Sequence, residues 1–190
     1  EKVKLKSFSG ILGINIGANK DSDGQKRIDD YVECFTKVSP YADYITVNIS
    51  SPNTPNLRSL HLEKNFLPLF EALNLARKEK EYSKPIFIKL SPDEDKKIIS
   101  VIIEAIKKYE FDGIIASNTT VKKDNLRHSG HHDLSGGLSG RPLLAKSNEL
   151  LKIANIYDPH LLKIGVGGVD SQESFNSKLD LGASLVQIYT

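Results

Sequence analysis

The chain has 190 residues, of which 39% are hydrophobic and 26% charged, so it has the composition of one soluble globular domain and not of a disordered chain. A net charge of +2 provides no electrostatic field of the kind that nucleic-acid binding requires. Cys34 is the single cysteine, which excludes an internal disulfide and a thiolate metal cluster and is typical of a reducing compartment.

The ends of the chain carry two further expectations. No apolar run approaches the roughly 20 residues of a membrane-spanning helix, and the start has no signal-peptide pattern, so we predict that this chain does not cross a bilayer. The chain begins with Glu1 and contains no methionine, so we expect it to be part of a longer translation product.

Six short apolar runs recur along the chain, each followed by a loop and a helical pattern. They comprise residues 11–16, 44–49, 85–90, 113–116, 161–166 and 183–188. Continuous apolar runs of four to eight residues are typical of parallel strands that are covered on both faces. The sequence therefore predicts six buried parallel strands.

Apolar residues at spacings of three and four predict helices between these strands. Three such stripes are Ile28, Tyr31, Val32, Phe35 and Val38; Phe66, Leu69, Phe70 and Leu73; and Ile98, Val101, Ile102, Ala105, Ile106 and Tyr109. We predict that Pro92 and Asp93 mark the start of the third helix. Ser171 is the predicted cap of a later helix that carries Phe175 and Leu179.

This alternation predicts an α/β fold, and the strand ends lie roughly 30 to 40 residues apart, near the unit length of a TIM-type (β/α)8 barrel. About six of the eight βα units would be present. An open doubly wound sheet is the alternative, but it would concentrate its site at one switch point. Here polar residues or glycines end every run: Asn15, Asn48, Lys89, Asn118 with Thr119, Gly167 with Gly168, and Tyr189 with Thr190. That distribution favours the catalytic face of a barrel.

The loop from Asn48 to Asn56 is dense in amides and hydroxyls, and Pro52 and Pro55 hold the residues before them in extended conformations. One interpretation is a proline-rich turn whose polar groups satisfy their own backbone. The other is a ligand-reading loop. Because Asn15, Asn48 and Asn118 follow three different strands, their amides would converge on one barrel mouth and read a flat heterocycle.

Lys89 lies within the apolar run 86–90, where a lysine is costly to bury unless an anion or a carbonyl-rich ligand faces it. A lysine that snorkels from a strand end is the alternative interpretation. The functional interpretation is a cation beside an electron-accepting cofactor.

Two glycine-rich segments, residues 165–168 and 135–140, offer backbone N–H groups to a phosphate near the later strands of a barrel, although a tight glycine turn explains the first equally well. His128, His131 and His132 invite a metal interpretation. They lack the spacing of the zinc-peptidase motif and lie among polar residues, so we predict a solvated loop and no metal site.

Together these residues resemble the dihydroorotate dehydrogenases. The matching segments are residues 15–20, 48–54, Lys89 with Pro92 and Asp93, 117–120, 135–140 with Pro142, 165–168 and 185–190. The resemblance implies a single FMN-binding barrel domain over residues 1–190. It also implies oxidation of dihydroorotate to orotate in pyrimidine biosynthesis, with FMN as hydride acceptor.

The resemblance also implies roles for individual residues. The flavin contacts it implies are Asn15, Asn48, Lys89, Ser117, Gly140, Gly167, Gly168, Tyr189 and Thr190. The substrate contacts it implies are Asn48, Asn53, Asn118 and Thr119. Ser51 matches the catalytic base, with Thr54 as a candidate for its relay to water. Lys89 would stabilise negative charge on the reduced flavin.

Serine at position 51 matches the branch of the family that is membrane-associated and passes electrons to a quinone, whereas the soluble branch has cysteine there. The implied location is peripheral, on a bacterial cytoplasmic membrane or on the mitochondrial inner membrane, through an amino-terminal segment absent from this chain. The first two strands and the closing helix would be absent as well. The alternatives are another FMN-dependent barrel oxidoreductase, or a catalytically silent fragment that binds a phosphate ligand.

Overall fold

The computed structural model describes residues 9–50, 63–123 and 136–189, and within them six strands alternate with five helices. The strands are β1 (Gly13–Ile16), β2 (Tyr44–Asn48), β3 (Ile86–Leu90), β4 (Gly113–Ala116), β5 (Leu162–Val166) and β6 (Leu185–Gln187). The helices are α1 (Gly24–Val38), α2 (Glu63–Glu79), α3 (Lys96–Lys108), α4 (Leu144–Tyr157) and α5 (Gln172–Asp180). Short 3₁₀ turns at Ser39–Tyr41 and Arg141–Leu143 adjoin α1 and α4.

All six strands are parallel and lie in chain order, β1-β2-β3-β4-β5-β6. This order confirms the predicted barrel, with about six of its eight units. It contradicts the doubly wound alternative, in which the strand order reverses at a switch point. The carboxyl ends of all six strands therefore meet at one edge of the sheet.

The two faces of the sheet have different cores. The main core lies between the sheet and the helices, where Ile45, Val47 and Ile88 are fully buried against the helical stripes. A smaller cluster of Phe87, Ile115 and Ile164 covers the opposite face. Because side chains alternate along a strand, residues in register with this second cluster share its face. Lys89 pairs with Asn48 on one side and with Ile115 on the other, so both polar residues lie on the face opposite the helices.

The start of α3 differs from the prediction. The helix is capped by Asp95, whose carboxylate accepts a hydrogen bond from the Lys97 N–H at 2.8 Å, and Pro92 and Asp93 lie before it. Its buried face includes Ile99 and Ile103, which the predicted stripe omitted. The β3–α3 loop is therefore longer than expected, and Asp95 takes the capping role that the sequence had suggested for Asp93.

Ser171 caps α5 as predicted, in a capping box with Ser174. The helix carries Phe175, which is half-buried, and Leu179, which is exposed, while Ser174 and Lys178 are its buried residues. Of the helices in the described ranges, none combines the length and the apolar character that a membrane span needs.

Candidate functional site

The candidate site begins with a cluster of three polar side chains, Asn48, Ser50 and Asn118, at the carboxyl ends of β2 and β4. The Asn118 Nδ2 group donates to Asn48 Oδ1 and to Ser50 Oγ, both at 3.1 Å, and Asn118 Oδ1 accepts from the Thr119 N–H at 2.8 Å. The buried Ser50 hydroxyl donates to the Lys89 carbonyl at 2.8 Å. These bonds connect the carboxyl ends of β2 and β3 with the loop after β4 into one preorganised surface.

Asn48 is held through its backbone carbonyl as well as through its side chain. The hydroxyl of Tyr31, on α1, donates to the Asn48 carbonyl at 2.6 Å. Burial is the main cause that raises the pKa of Tyr31, so this phenol stays protonated and remains a donor. Within the described residues the Asn48 amide N–H₂ has no partner, and it is available to a ligand's carbonyl oxygen.

Lys89 lies beside this cluster, on the wall of a cavity of about 450 Å³ at the carboxyl ends of β3 to β6. The side chain is half-buried, and burial lowers the pKa of its ammonium. A cation with a partly desolvated charge, facing a cavity, attracts an anion or a group that gains electron density.

Eight of the predicted contact residues line this cavity together. They are Lys89, Ser117, Asn118, Thr119, Gly140, Gly167, Gly168 and Tyr189. Among the residues that the structure describes, two expected contacts are not on its wall. Asn48 adjoins the cavity through its bond to Asn118, and Asn15 lies exposed on β1, beside Thr46, without a bond to Asn48 or Asn118.

The glycine turn after β5 closes the far side of the cavity. Gly167 and Gly168 have φ angles of +107° and +76°, which side chains with a Cβ rarely adopt. A Cβ on Gly168 would lie 2.6 Å from the Cβ of Leu144, so the start of α4 leaves no room for one. The close approach explains the two adjacent glycines and brings the amino end of α4 to the cavity.

Asp93 connects the loops after β3 and β4. Its carboxylate accepts hydrogen bonds from the Thr120 hydroxyl at 2.6 Å and from the Val121 N–H at 3.0 Å. Lys146, on α4, pairs with it at 3.5 Å. This contact anchors the segment that carries Asn118 and Thr119. The sequence had indicated only a helix start at Asp93.

Several predicted residues fall outside the described ranges. They are the proposed base Ser51 with Thr54, the substrate contact Asn53, the flavin contact Thr190, and the three clustered histidines. Their roles stay predictions. Among the described residues, no group of three or more His, Cys, Asp and Glu side chains is placed to hold a metal ion.

Sequence reasoning missed two further features of the cavity. Arg141 and Asp170 lie on its wall and approach each other to 3.9 Å, bridging the turn before α4 and the loop after β5. Ser147 and Lys178 lie directly behind the glycine turn. No periodic signal marks Lys178, because a lysine on a surface helix normally faces solvent.

Comparison with known proteins gives consistent results. A sequence profile described as dihydroorotate dehydrogenase matches residues 1–190. The chain is 45% identical over 195 residues to dihydroorotate dehydrogenase (quinone) of Idiomarina loihiensis, covering 100% of this chain and 58% of the relative. It is 42% identical to the protein of the same name from Legionella pneumophila, covering 100% of this chain and 59% of the relative.

Solved structures agree with these sequence matches. The crystal structure of DHODH from Eimeria tenella in complex with ferulenol superposes with a TM-score of 0.86 at 28% identity, covering 94% of this chain and 52% of that one. A ligand-free structure of the Eimeria tenella protein gives a TM-score of 0.85. The chain thus spans little more than half the length of the relatives it matches. Since the profile matches every residue and the fold agrees, this chain belongs to the dihydroorotate dehydrogenase family.

Proposed function

We propose that the protein containing this chain oxidises dihydroorotate to orotate in pyrimidine biosynthesis, with FMN as hydride acceptor and a quinone as final acceptor. The observation that carries the proposal is one cavity with two chemically distinct ends. Lys89 and the amide of Asn118 lie at one end, and a glycine turn beside a helix start lies at the other. The name shared by the bacterial relatives supports the reaction and the quinone.

The residues of this cavity fit FMN. Members of the family are flavin-dependent, and a volume of about 450 Å³ lies in the range typical of small-molecule sites. The N–H groups near Gly140, Gly167 and Gly168 suit the phosphate, since backbone donors at a helix start bind anions. Lys89 and Ser117 would contact the ring system. When bound, the flavin supplies a two-electron acceptor.

The side chains of this chain supply the rest of the chemistry. The reaction removes a proton from one ring carbon of dihydroorotate and a hydride from its neighbour. We assign the removal of this proton to the Ser51 hydroxyl, acting with a water relay. Asn48, Asn53, Asn118 and Thr119 would hold the ring through its carbonyl and N–H groups. Lys89 supplies positive charge where electron density increases.

The domain assignment and the location are part of this proposal. We propose that residues 1–190 belong to a single FMN-binding barrel domain whose remaining units lie elsewhere in the protein. Quinone-dependent bacterial relatives are membrane-associated in general. We propose peripheral attachment to the membrane that holds the quinone, through a segment outside this chain.

Two measurements on the full-length protein test the proposal. Denaturing the purified protein should release one noncovalent flavin that chromatography identifies as FMN. Dihydroorotate oxidation should then be faster with a soluble ubiquinone analogue than with fumarate or a nicotinamide cofactor. The absence of any flavin after reconstitution would contradict the cofactor, and faster turnover with fumarate would contradict the quinone.

A further inference from the structure

Lys178 is a fully buried cation on α5. Its Nζ group donates to the hydroxyl of Ser147, on α4. Within the described ranges no carboxylate lies within ion-pairing distance of it. Its stem packs so closely on β5 that a Cβ on Gly165 would lie 3.1 Å from it. A buried ammonium with a single hydroxyl partner is costly, and the two carboxylates of α5, Glu173 and Asp180, are exposed and form no ion pair with it within the described ranges.

Ser147 connects Lys178 to the glycine turn. The Ser147 hydroxyl shares its proton between the carbonyls of Leu144 and Gly167, both at 3.0 Å, while accepting from Lys178. Because Lys178 donates to the Ser147 oxygen, the Ser147 hydroxyl acts as a donor toward the turn. An ammonium that polarises the hydroxyl also strengthens the bond that the hydroxyl donates.

This bond fixes the direction of the next N–H group. The peptide bond between Gly167 and Gly168 is trans and planar, so its carbonyl and its N–H point in opposite directions. Ser147 draws the Gly167 carbonyl toward α4, and Ser147 does not line the cavity, whereas both glycines do. The Gly168 N–H consequently points away from α4, and it has no hydrogen-bond partner among the described residues.

A second buried lysine on the same unit provides a contrast. Lys163 lies at the amino end of β5 and is as buried as Lys178. Its Nζ group donates to three backbone carbonyls, of Asp158, Pro159 and Leu161, at 3.0, 3.3 and 2.6 Å. Those bonds explain why Lys163 is buried, since it stabilises the turn before β5. In the part of the chain that the structure describes, Lys178 has no comparable set of acceptors, and its one partner, Ser147, bonds to the glycine turn at the cavity.

We propose that Lys178 is a positioning residue for the phosphate of FMN: through Ser147 it orients the Gly167–Gly168 turn, and its charge lies behind the N–H groups that receive the anion. The inference rests on the proposed FMN site. Burial lowers the pKa of Lys178 to about 8. A phosphate across the turn would favour the charged form and so compensate part of the cost of burying it.

The test compares FMN with riboflavin, which lacks the phosphate, in titrations of the full-length apoprotein. Lys178→Met should raise the Kd of FMN about 10-fold or more and change the Kd of riboflavin less than about 2-fold, since charged hydrogen bonds contribute on this order. Lys163→Met is the matched control, because it removes an equally buried lysine away from the turn. It should lower the unfolding temperature and leave the FMN-to-riboflavin affinity ratio unchanged.

Ser147→Ala keeps the lysine and breaks the link, so it tests the same claim if Lys178→Met does not fold. It should weaken FMN binding about 3- to 10-fold while sparing riboflavin, and the double variant should lose no more FMN affinity than Lys178→Met alone. Equal weakening of both ligands, or unchanged FMN binding, in either variant overturns the role of Lys178. If the unsubstituted protein binds neither flavin, the proposed function itself fails.

Discussion

Ser50 has little freedom for chemistry, because its hydroxyl is buried and engaged at both its donor and acceptor sides. It donates to the Lys89 carbonyl and accepts from Asn118. A hydroxyl held in this way supports the loop. This is consistent with assigning the proton transfer to Ser51, which follows it in the Asn-x-x-Ser-x-Asn pattern of residues 48–53.

We therefore expect two adjacent substitutions to affect different properties, one the rate of flavin reduction and the other the stability of the fold. Ser51→Ala should slow dihydroorotate-driven flavin reduction by about 10²- to 10⁴-fold, the usual contribution of a general base, with dihydroorotate binding largely unchanged. Ser50→Ala should mainly lower the free energy of unfolding, by about 1 to 3 kcal/mol, since it leaves a buried carbonyl without its donor. Stopped-flow reduction and urea unfolding of both variants measure these effects. A larger rate loss at Ser50 would place the base one residue earlier.

Lys89 is the second residue with a directly measurable role. Replacing it with alanine should slow flavin reduction and weaken FMN retention, because the substitution removes a half-buried positive charge from the cavity wall and leaves a gap in its place. Lys84→Ala is the control, since Lys84 precedes the same strand and pairs with Asp43 at the surface. Reduction rates in Lys89→Ala equal to those of the control would indicate that Lys89 only snorkels from the strand end.

At the scale of elements, Asp158 joins the ends of α3 and α4 to the start of β5. Its carboxylate accepts from the N–H groups of His160 and Leu161, at 2.9 and 3.2 Å, and from Lys107 Nζ at 2.9 Å. The hydrogen bond from Lys107 is the main cause that lowers the pKa of Asp158. The ionised form is therefore favoured in the folded protein.

This gives a pH-dependent prediction. Because the folded pKa lies below the unfolded value of 3.8, the stabilisation is present above that value and is lost as the pH falls through the folded pKa. Asp158→Asn should lower the free energy of unfolding by about 1 to 3 kcal/mol at neutral pH, and this difference should shrink in acid. Urea unfolding at neutral and acid pH measures it, with the exposed Asp180→Asn as control. An effect independent of pH would contradict the role of the charge.

Some of these elements could be predicted from the sequence and others could not. The strands were predictable because continuous apolar runs have few alternative structures, and β4 has the predicted bounds of residues 113–116. The helix caps were less predictable. Asp93 and Asp95 have the same chemistry two residues apart, and only the fold decides that Asp95 caps α3 while Asp93 binds Thr120. The burial of Lys178 depends on α4 and β5 packing against it, which no local pattern records.

At the scale of the molecule, the parallel sheet in chain order brings distant segments of the sequence to one edge. Asn48 and Lys89 lie at the carboxyl ends of β2 and β3, Asn118 follows β4, and the glycine turn follows β5. Asn15 lies in register with Thr46, on the same face of the sheet as Asn48, but it is exposed at the other end of the edge and outside the cavity, so its role as a flavin contact stays a prediction. Which residues share the cavity therefore depends on where along the edge their strand lies, in addition to their lying at the carboxyl edge of the sheet.

The most direct test of the proposed reaction is anaerobic mixing of dihydroorotate with the flavin-loaded full-length protein, without any quinone. If the chain's residues place dihydroorotate against FMN, the visible absorbance of the oxidised flavin should disappear in a single turnover, with one orotate formed per flavin. Ser51→Ala should bleach more slowly by the factor given above. A bound flavin that keeps its oxidised spectrum in saturating dihydroorotate would contradict the proposed reaction.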